Sequence, residues 1–401
     1  MDKTITILSS EESFENNYGA ALQGYALFST LQEWGYSPSF VRYRGGRFSK
    51  QFKKHSIYGL KRMLGCVYHH LFPTKKEIEY IRLQRKYSRD IQQREAIFKK
   101  FAEESMRFWN KKRIDWWELK DNFPVSDFYV CGSDQIWNPH FKGNQNDPGY
   151  FLAFAPKGSK KIAYAPSFGC DDLPDKAKTD LEKLLSDFSA ISVRECSGID
   201  IVKKYANRDA QWVLDPTMLR TPEQWHEFAK LPQNIPDRYI LCYRFAESEH
   251  TKRYIEELSK ELNLPVISLS LSNVSLQDDF QKVFAAGPRE FVGLIENADL
   301  VCTDSFHASV FSVLMKTPLR VFLRENFNSG NSMNARVYSL LKMLSLEHLI
   351  ITPHDSLENA QTIQEDYTAA HMLLEQKREA SIAFLKNALG EHDAIKAGGQ
   401  L

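Results

Sequence analysis

The chain has 401 residues, 43% of them hydrophobic and 26% charged, and its 52 Lys and Arg against 51 Asp and Glu leave a net charge of +1. That length exceeds one usual core and predicts two domains of ordinary globular composition. The charge balance argues against a surface built for nucleic acid, so no nucleic-acid partner is expected.

Met1-Asp-Lys leads straight into Thr4–Leu8, which reads as a strand rather than a secretory leader, and no apolar run reaches membrane-spanning length. A cytoplasmic protein is expected. The cysteines (Cys66, Cys131, Cys170, Cys196, Cys242 and Cys302) are scattered without metal-ligand spacing, which predicts reduced thiols. After the first strand come a loop over 11–18, a helix over 19–31 and a second strand over 37–42, together a βαβ unit. Residues 55 to about 117 are basic, aromatic and helical in pattern, and form an insert within about 50–118. Strand character returns at 127–131, 161–165, 190–193 and 211–216. A second half opens near Arg238 and alternates again: helix 249–262, strand 265–269, helix 288–297, strand 299–302, helix 306–316, strand 319–323. One long helix over 366–390 is expected to pack back on the first half. The fold class is therefore α/β, with two Rossmann-type domains facing a central crevice, an N-terminal one over 1–220 and a C-terminal one over 221–401.

The segment Leu300-Val-Cys-Thr-Asp-Ser-Phe-His307 places His307 in the first turn of a helix, just past the carboxyl end of a strand. Ligands bind at that edge of open α/β sheets, and helix N-termini offer unpaired N–H groups to anions. A first-turn histidine that only caps or packs is the plainer reading. Cys131-Gly-Ser-Asp-Gln-Ile-Trp-Asn-Pro139 follows a strand directly and clusters Asp134, Gln135 and Asn138 around Trp137, a fitting surface for a sugar ring or else a capped βα turn. Asn17 and Gly19 lie in the first βα loop, which lacks the dinucleotide GxGxxG spacing. Arg194 sits at a strand end and can hold a carboxylate or phosphate; a surface pair with Glu195 is the alternative. Asp215-Pro-Thr217 reads as a chain reversal. Arg324, Asn328, Asn331, Asn334 and Arg336 form a candidate anion clamp on one loop. Nothing suggests a metal site. Tyr58–Phe72, followed by Lys75 and Lys76, mixes apolar and basic residues, so peripheral membrane contact through about 57–76 is expected alongside an ordinary packed insert.

In order and content these segments resemble the polysaccharide pyruvyl transferase family. The landmarks are Asn17-Tyr-Gly-Ala-Ala-Leu-Gln23, Gly132-Ser-Asp-Gln-Ile-Trp-Asn-Pro139, Ser167-Phe-Gly169, Ser192-Val-Arg-Glu195, Leu214-Asp-Pro-Thr217, Thr303-Asp-Ser-Phe-His307 and Asn334-Ala-Arg336. The resemblance implies a GT-B-like pair of Rossmann-type domains. It also implies transfer of a pyruvate ketal from phosphoenolpyruvate onto two hydroxyls of a sugar in a bacterial-type surface polysaccharide precursor, lipid-linked in this reading, with release of phosphate. No cofactor is implied beyond phosphoenolpyruvate as donor.

On that chemistry His307 is the expected general acid, since protonating the donor's methylene carbon needs a group that titrates near neutrality. Arg194, Ser305, Arg324 and Arg336 are expected on the donor, Asn17, Gln135, Trp137 and Asn138 on the acceptor, and Asp134 as a base for an acceptor hydroxyl. Many family members carry arginine and leucine before the histidine, where this chain has Ser305-Phe306. A nucleotide-sugar glycosyltransferase and a non-catalytic glycan-binding protein on the same fold are the rival readings, because fold does not fix chemistry.

Overall fold

The computed structural model describes residues 2–46, 75–141, 146–269, 276, 278–324, 334–352, 355 and 365–391. Its described residues form two parallel sheets of six strands each. The first contains β1 (Thr4–Leu8), β2 (Ser37–Phe40), β3 (Phe128–Cys131), β4 (Lys160–Ala163), β5 (Phe188–Val193) and β6 (Gln211–Trp212), in the order β2-β1-β3-β4-β5-β6. The second contains β7 (Ile240–Tyr243), β8 (Val266–Ser268), β9 (Gln281–Lys282), β10 (Leu300–Thr303), β11 (Leu319–Phe322) and β12 (Ile350–Ile351), in the order β12-β11-β10-β7-β8-β9. Short apolar runs such as Phe-Tyr-Val-Cys in β3 and Ile-Leu-Cys-Tyr in β7 are buried throughout, as strands covered on both faces must be.

Each sheet reverses direction once, between β1 and β3 in the first and between β7 and β10 in the second. Those switch points are where doubly wound sheets hold ligands. The Tyr18–Glu33 helix follows β1, and the Phe306–Leu314 helix follows β10. Helices Lys75–Lys86 and Ser88–Ser105 carry the described part of the insert; residues 57–74 of the expected membrane segment lie outside the described residues. No described helix is long and apolar enough to cross a membrane.

One apolar cluster runs between the two sheets, and each sheet has a further cluster of its own, around Tyr129, Trp137 and Phe151 in the first and around Ile240, Tyr254 and Phe322 in the second. Tyr18, at the start of the first helix, stacks on Phe291 at 4.5 Å between ring centroids and donates its hydroxyl to Ala286 O at 2.9 Å. Trp225, fully buried on the Pro222–Phe228 helix, meets Phe311 edge-on at 4.8 Å and donates Nε1–H to Thr217 O. Arg94 of the insert lies over Tyr18 and donates to Leu269 O. From the other end of the chain, the Thr368–Ala388 helix reaches the first sheet, where Ser381 Oγ accepts from Leu214 N–H and Phe384 packs on Tyr164. The carboxyl edges of the two sheets are thereby held close together, with only a narrow crevice between them.

Candidate functional site

β10 ends at Thr303, and the chain turns into a helix capped by Ser305, whose Oγ accepts from Ala308 N–H while Thr303 Oγ1 accepts from Ser305 N–H. This places His307 in the first turn, 8% exposed and directed away from its own domain. On one side its ring meets the backbone of Gly19, where a β-carbon would stand 2.0 Å from Nδ1. On the other side Nε2 lies 3.7 Å from Asp215 Oδ2, an ion-pair distance across the crevice.

Asp215 is fully buried just after β6. Its Oδ1 accepts from Thr217 N–H and Oγ1–H, which forms the turn. Its Oδ2 accepts from Arg194 Nη1 at 2.9 Å and from Ser133 Oγ at 3.2 Å. Burial alone would raise this carboxyl, but the His307 imidazole, the Arg194 guanidinium and the Thr217 N–H outweigh it and hold it well below the usual carboxylate range.

Arg194 follows β5 and reaches both acidic loops of the first domain, with Nη2 also 3.6 Å from Asp134 Oδ1. Its Nε and Nη2 are buried without a hydrogen-bond partner. Asp134 takes a left-handed backbone, φ +68°, and is held by a 2.7 Å bond from Ser10 Oγ. Although burial raises its carboxyl, Arg194, His307 and Arg336 bring it below the usual value. The turn before it requires glycine: Gly132 has φ +122°, and a β-carbon there would stand 2.0 Å from Tyr164 O.

Arg336 completes the cluster from the second domain. It lies in the first turn of the Asn334–Met343 helix, not on the loop expected for it. Asn328 and Asn331 lie outside the described residues, and Asn334 exchanges side-chain bonds with the Arg324 backbone. Burial, and then the charge of Arg194, press the Arg336 guanidinium down to about 9. Both guanidiniums lie over the ring of Phe306, at 5.0 and 6.0 Å from its centroid. Phe306 therefore offers a π face to two cations.

Several expectations need correction. Trp137 is no sugar platform: it is 2% exposed, stacked on Phe151 at 5.0 Å, tilted against Phe168, and donates Nε1–H to Tyr150 O. Asn138 is buried, donating to Gln135 Oε1 and accepting from His140 N–H. Gln135 is buried too, its side-chain amide 3.1 Å from Arg336 Nη2. Asn17 caps the Tyr18–Glu33 helix through Ala20 N–H. Arg194 and Glu195 are not a surface pair. Both are buried, and Glu195 Oε1 instead accepts from Phe168 and Gly169 N–H. Arg324 pairs with Asp304, Nε to Oδ2 at 3.2 Å. The residue that sequence reasoning missed is Asp215, whose only signal was its place in the Leu214–Thr217 landmark.

A profile of the polysaccharide pyruvyl transferase family matches residues 17–326, more than three quarters of the chain. The chain belongs to that family. No curated protein matches it. Among solved structures it is similar in fold to S. aureus MnaA with UDP, at 8% identity, TM-score 0.49 and 100% of each chain covered. UDP-GlcNAc 2-epimerase from Neisseria meningitidis bound to UDP-GlcNAc gives 12% identity and TM-score 0.47, over 96% of this chain and 100% of that one. Acinetobacter baumannii MurG gives 9% and 0.41, over 97% and 99%. His307, Arg194 and the Asp215-Pro-Thr217 turn meet at one place between the two sheets. Among the described residues no group of three or more His, Cys, Asp or Glu could hold a metal ion.

Proposed function

We propose that the protein transfers the pyruvate of phosphoenolpyruvate onto two hydroxyls of a sugar as a cyclic ketal, releasing phosphate. The observation that carries this reading is His307, presented by one domain to the buried Arg194–Asp215 pair of the other, with a second buried guanidinium beside them. Beside the Arg194–Asp215 pair, the buried charge of Arg336 gains from a further anion placed next to it. Phosphoenolpyruvate, with a phosphate and a carboxylate on three carbons, suits such a place. Arg336 then supplies the charge that other family members carry before the histidine.

His307 delivers a proton to the methylene carbon, which makes C2 electrophilic. One sugar hydroxyl attacks C2 and gives its proton to Asp134. Phosphate departs with the C2–O bond electrons, and the second hydroxyl closes the ketal. His307 has then given one proton to the new methyl group, while Asp134 holds one hydroxyl proton and phosphate the other. Exchange with solvent takes the proton from Asp134 and returns one to His307, so the reaction balances without redox change. Asp215 orients the imidazole, and Arg194 and Arg336 hold the donor.

The acceptor is a lipid-linked precursor of a surface or capsular polysaccharide, met at the inner face of the plasma membrane. Support comes from the basic, apolar sequence over 57–76 and from exposed Ile78 and Ile81 on the helix that continues it. The test is phosphate release from phosphoenolpyruvate with and without a panel of glycosides. Acceptor-dependent release, with a product heavier by one pyruvate ketal, supports the reading. Absence of phosphoenolpyruvate binding removes it.

A further inference from the structure

Phosphoenolpyruvate carries two anionic groups and one methylene, and the guanidiniums of Arg194 and Arg336 account only for the anions. Against those two arginines lies a cavity of about 20 Å³ whose walls come from both sheets. The turn after β6 supplies Leu214, Asp215 and Met218. Phe306 and the Asn334–Met343 helix supply the opposite wall. On that helix Arg336, Leu340 and Met343 follow one another at spacings that put them on one face, so the cation and the apolar floor share a single support.

The void is selective in size and in lining. That volume holds one water or one methyl-sized group. Nearly all the surface facing it is carbon, so a water there would lack the polar partners it needs. Leu214, Met218, Phe306 and Leu340 are buried in the cluster that runs between the sheets, and Met343 packs against it. A small hydrocarbon group gains dispersion contacts from such a wall. The acid stands at its rim. His307 follows Phe306 in the chain, and its Nε2 lies 3.7 Å from Asp215 Oδ2. A carbon seated against Phe306 and Asp215 is therefore beside the group that protonates it.

We infer that this cavity seats the C3 methylene of the donor, and the methyl group it becomes, so that Leu340 and Met343 restrict the protein to a donor without a substituent on C3. The inference rests on the transferase reading above and deepens it. The guanidiniums hold phosphate and carboxylate, while the cavity measures the hydrocarbon end. Protonation adds one hydrogen within the void, which has no room for a further carbon.

The test compares phosphoenolpyruvate with its homologue bearing a methyl group on C3, by calorimetry on the full chain, for wild type, Leu340→Ala and Met343→Ala. One methyl group in a hydrophobic pocket is worth about 10–200-fold, so wild type should bind phosphoenolpyruvate at least about tenfold more tightly than the homologue. Either alanine opens space for the extra methyl and should bring the two affinities within about threefold of each other. Met343 is only partly buried, so its variant decides the matter if Leu340→Ala fails to fold. Equal binding of both donors by wild type, or a preference undiminished in the folded variants, overturns the cavity assignment and leaves the transferase standing. A wild type that does not bind phosphoenolpyruvate removes the transferase, and the cavity assignment with it.

Discussion

The imidazole of His307 packs on the backbone of Gly19, so closely that a β-carbon at position 19 would lie 2.0 Å from Nδ1 and 2.5 Å from Cγ. These residues belong to opposite sheets, and each opens the helix at its sheet's switch point. Gly19 is helical, so its use there is not explained by backbone conformation; alanine would favour the helix by about 0.5–1 kcal/mol. The missing side chain makes room for the imidazole.

Gly19→Ala should therefore keep the fold and displace His307. Turnover is expected to fall on the order of 100-fold, with phosphoenolpyruvate affinity nearly unchanged. In a His307→Ala background, itself slower by about 100-fold or more, Gly19→Ala should cost nothing further. Rate losses that simply add in the double variant would show that Gly19 acts elsewhere.

The legible parts of the site were those whose signal is local. A strand, a polar turn and an apolar helix placed His307 at the carboxyl edge of a sheet, and Arg194 was placed by the same logic. Asp215 was misread because its local signal is real: Oδ1 does form the turn with Thr217, while Oδ2 turns to Arg194 and His307 from other elements. Trp137 failed for the same reason. Its covering rings, Phe151, Phe168 and Phe188, come from three later segments that no short window joins to it. Arg336 was put on a loop although the apolar run after it, Val337 to Leu344, continues the helix that contains it.

Asp215→Asn should destabilise the fold by about 3–5 kcal/mol, because it leaves the buried Arg194 charge without its closest partner. The pH dependence has a definite sign. Asp215 titrates below its usual 3.8 in the folded chain, so its contribution is complete above that value and is lost as pH falls toward the folded pKa. Urea titrations should show a constant gap between wild type and variant from neutrality down to about pH 5, narrowing below about pH 4. A gap that widens on acidification would contradict this assignment.

Arg336→Met should separate stability from function. Burial and Arg194 hold the Arg336 guanidinium down at about 9, so its charge is a cost to the empty protein at neutral pH. Methionine removes that cost while keeping much of the volume. Thermal melts should show no loss of stability, and calorimetry should show donor affinity weakened by about tenfold or more. In the wild type, donor affinity should decline as pH rises through about 9, where the guanidinium loses its proton. An unaltered pH profile in Arg336→Met would remove this residue from the donor site.

Trp137→Ala distinguishes a core ring from a sugar platform. The indole is packed on three phenylalanines and spends its only donor on Tyr150 O, so deletion leaves a cavity and loses that bond. Stability should fall by about 3–5 kcal/mol, and at a temperature where the variant is still folded its acceptor KM should match the wild type. Trp137→Phe should recover much of the stability, because the stacking on Phe151 needs an aromatic face but no N–H. Were the indole instead to contact the acceptor, Trp137→Ala would raise acceptor KM at little cost in stability, the reverse of what its burial requires.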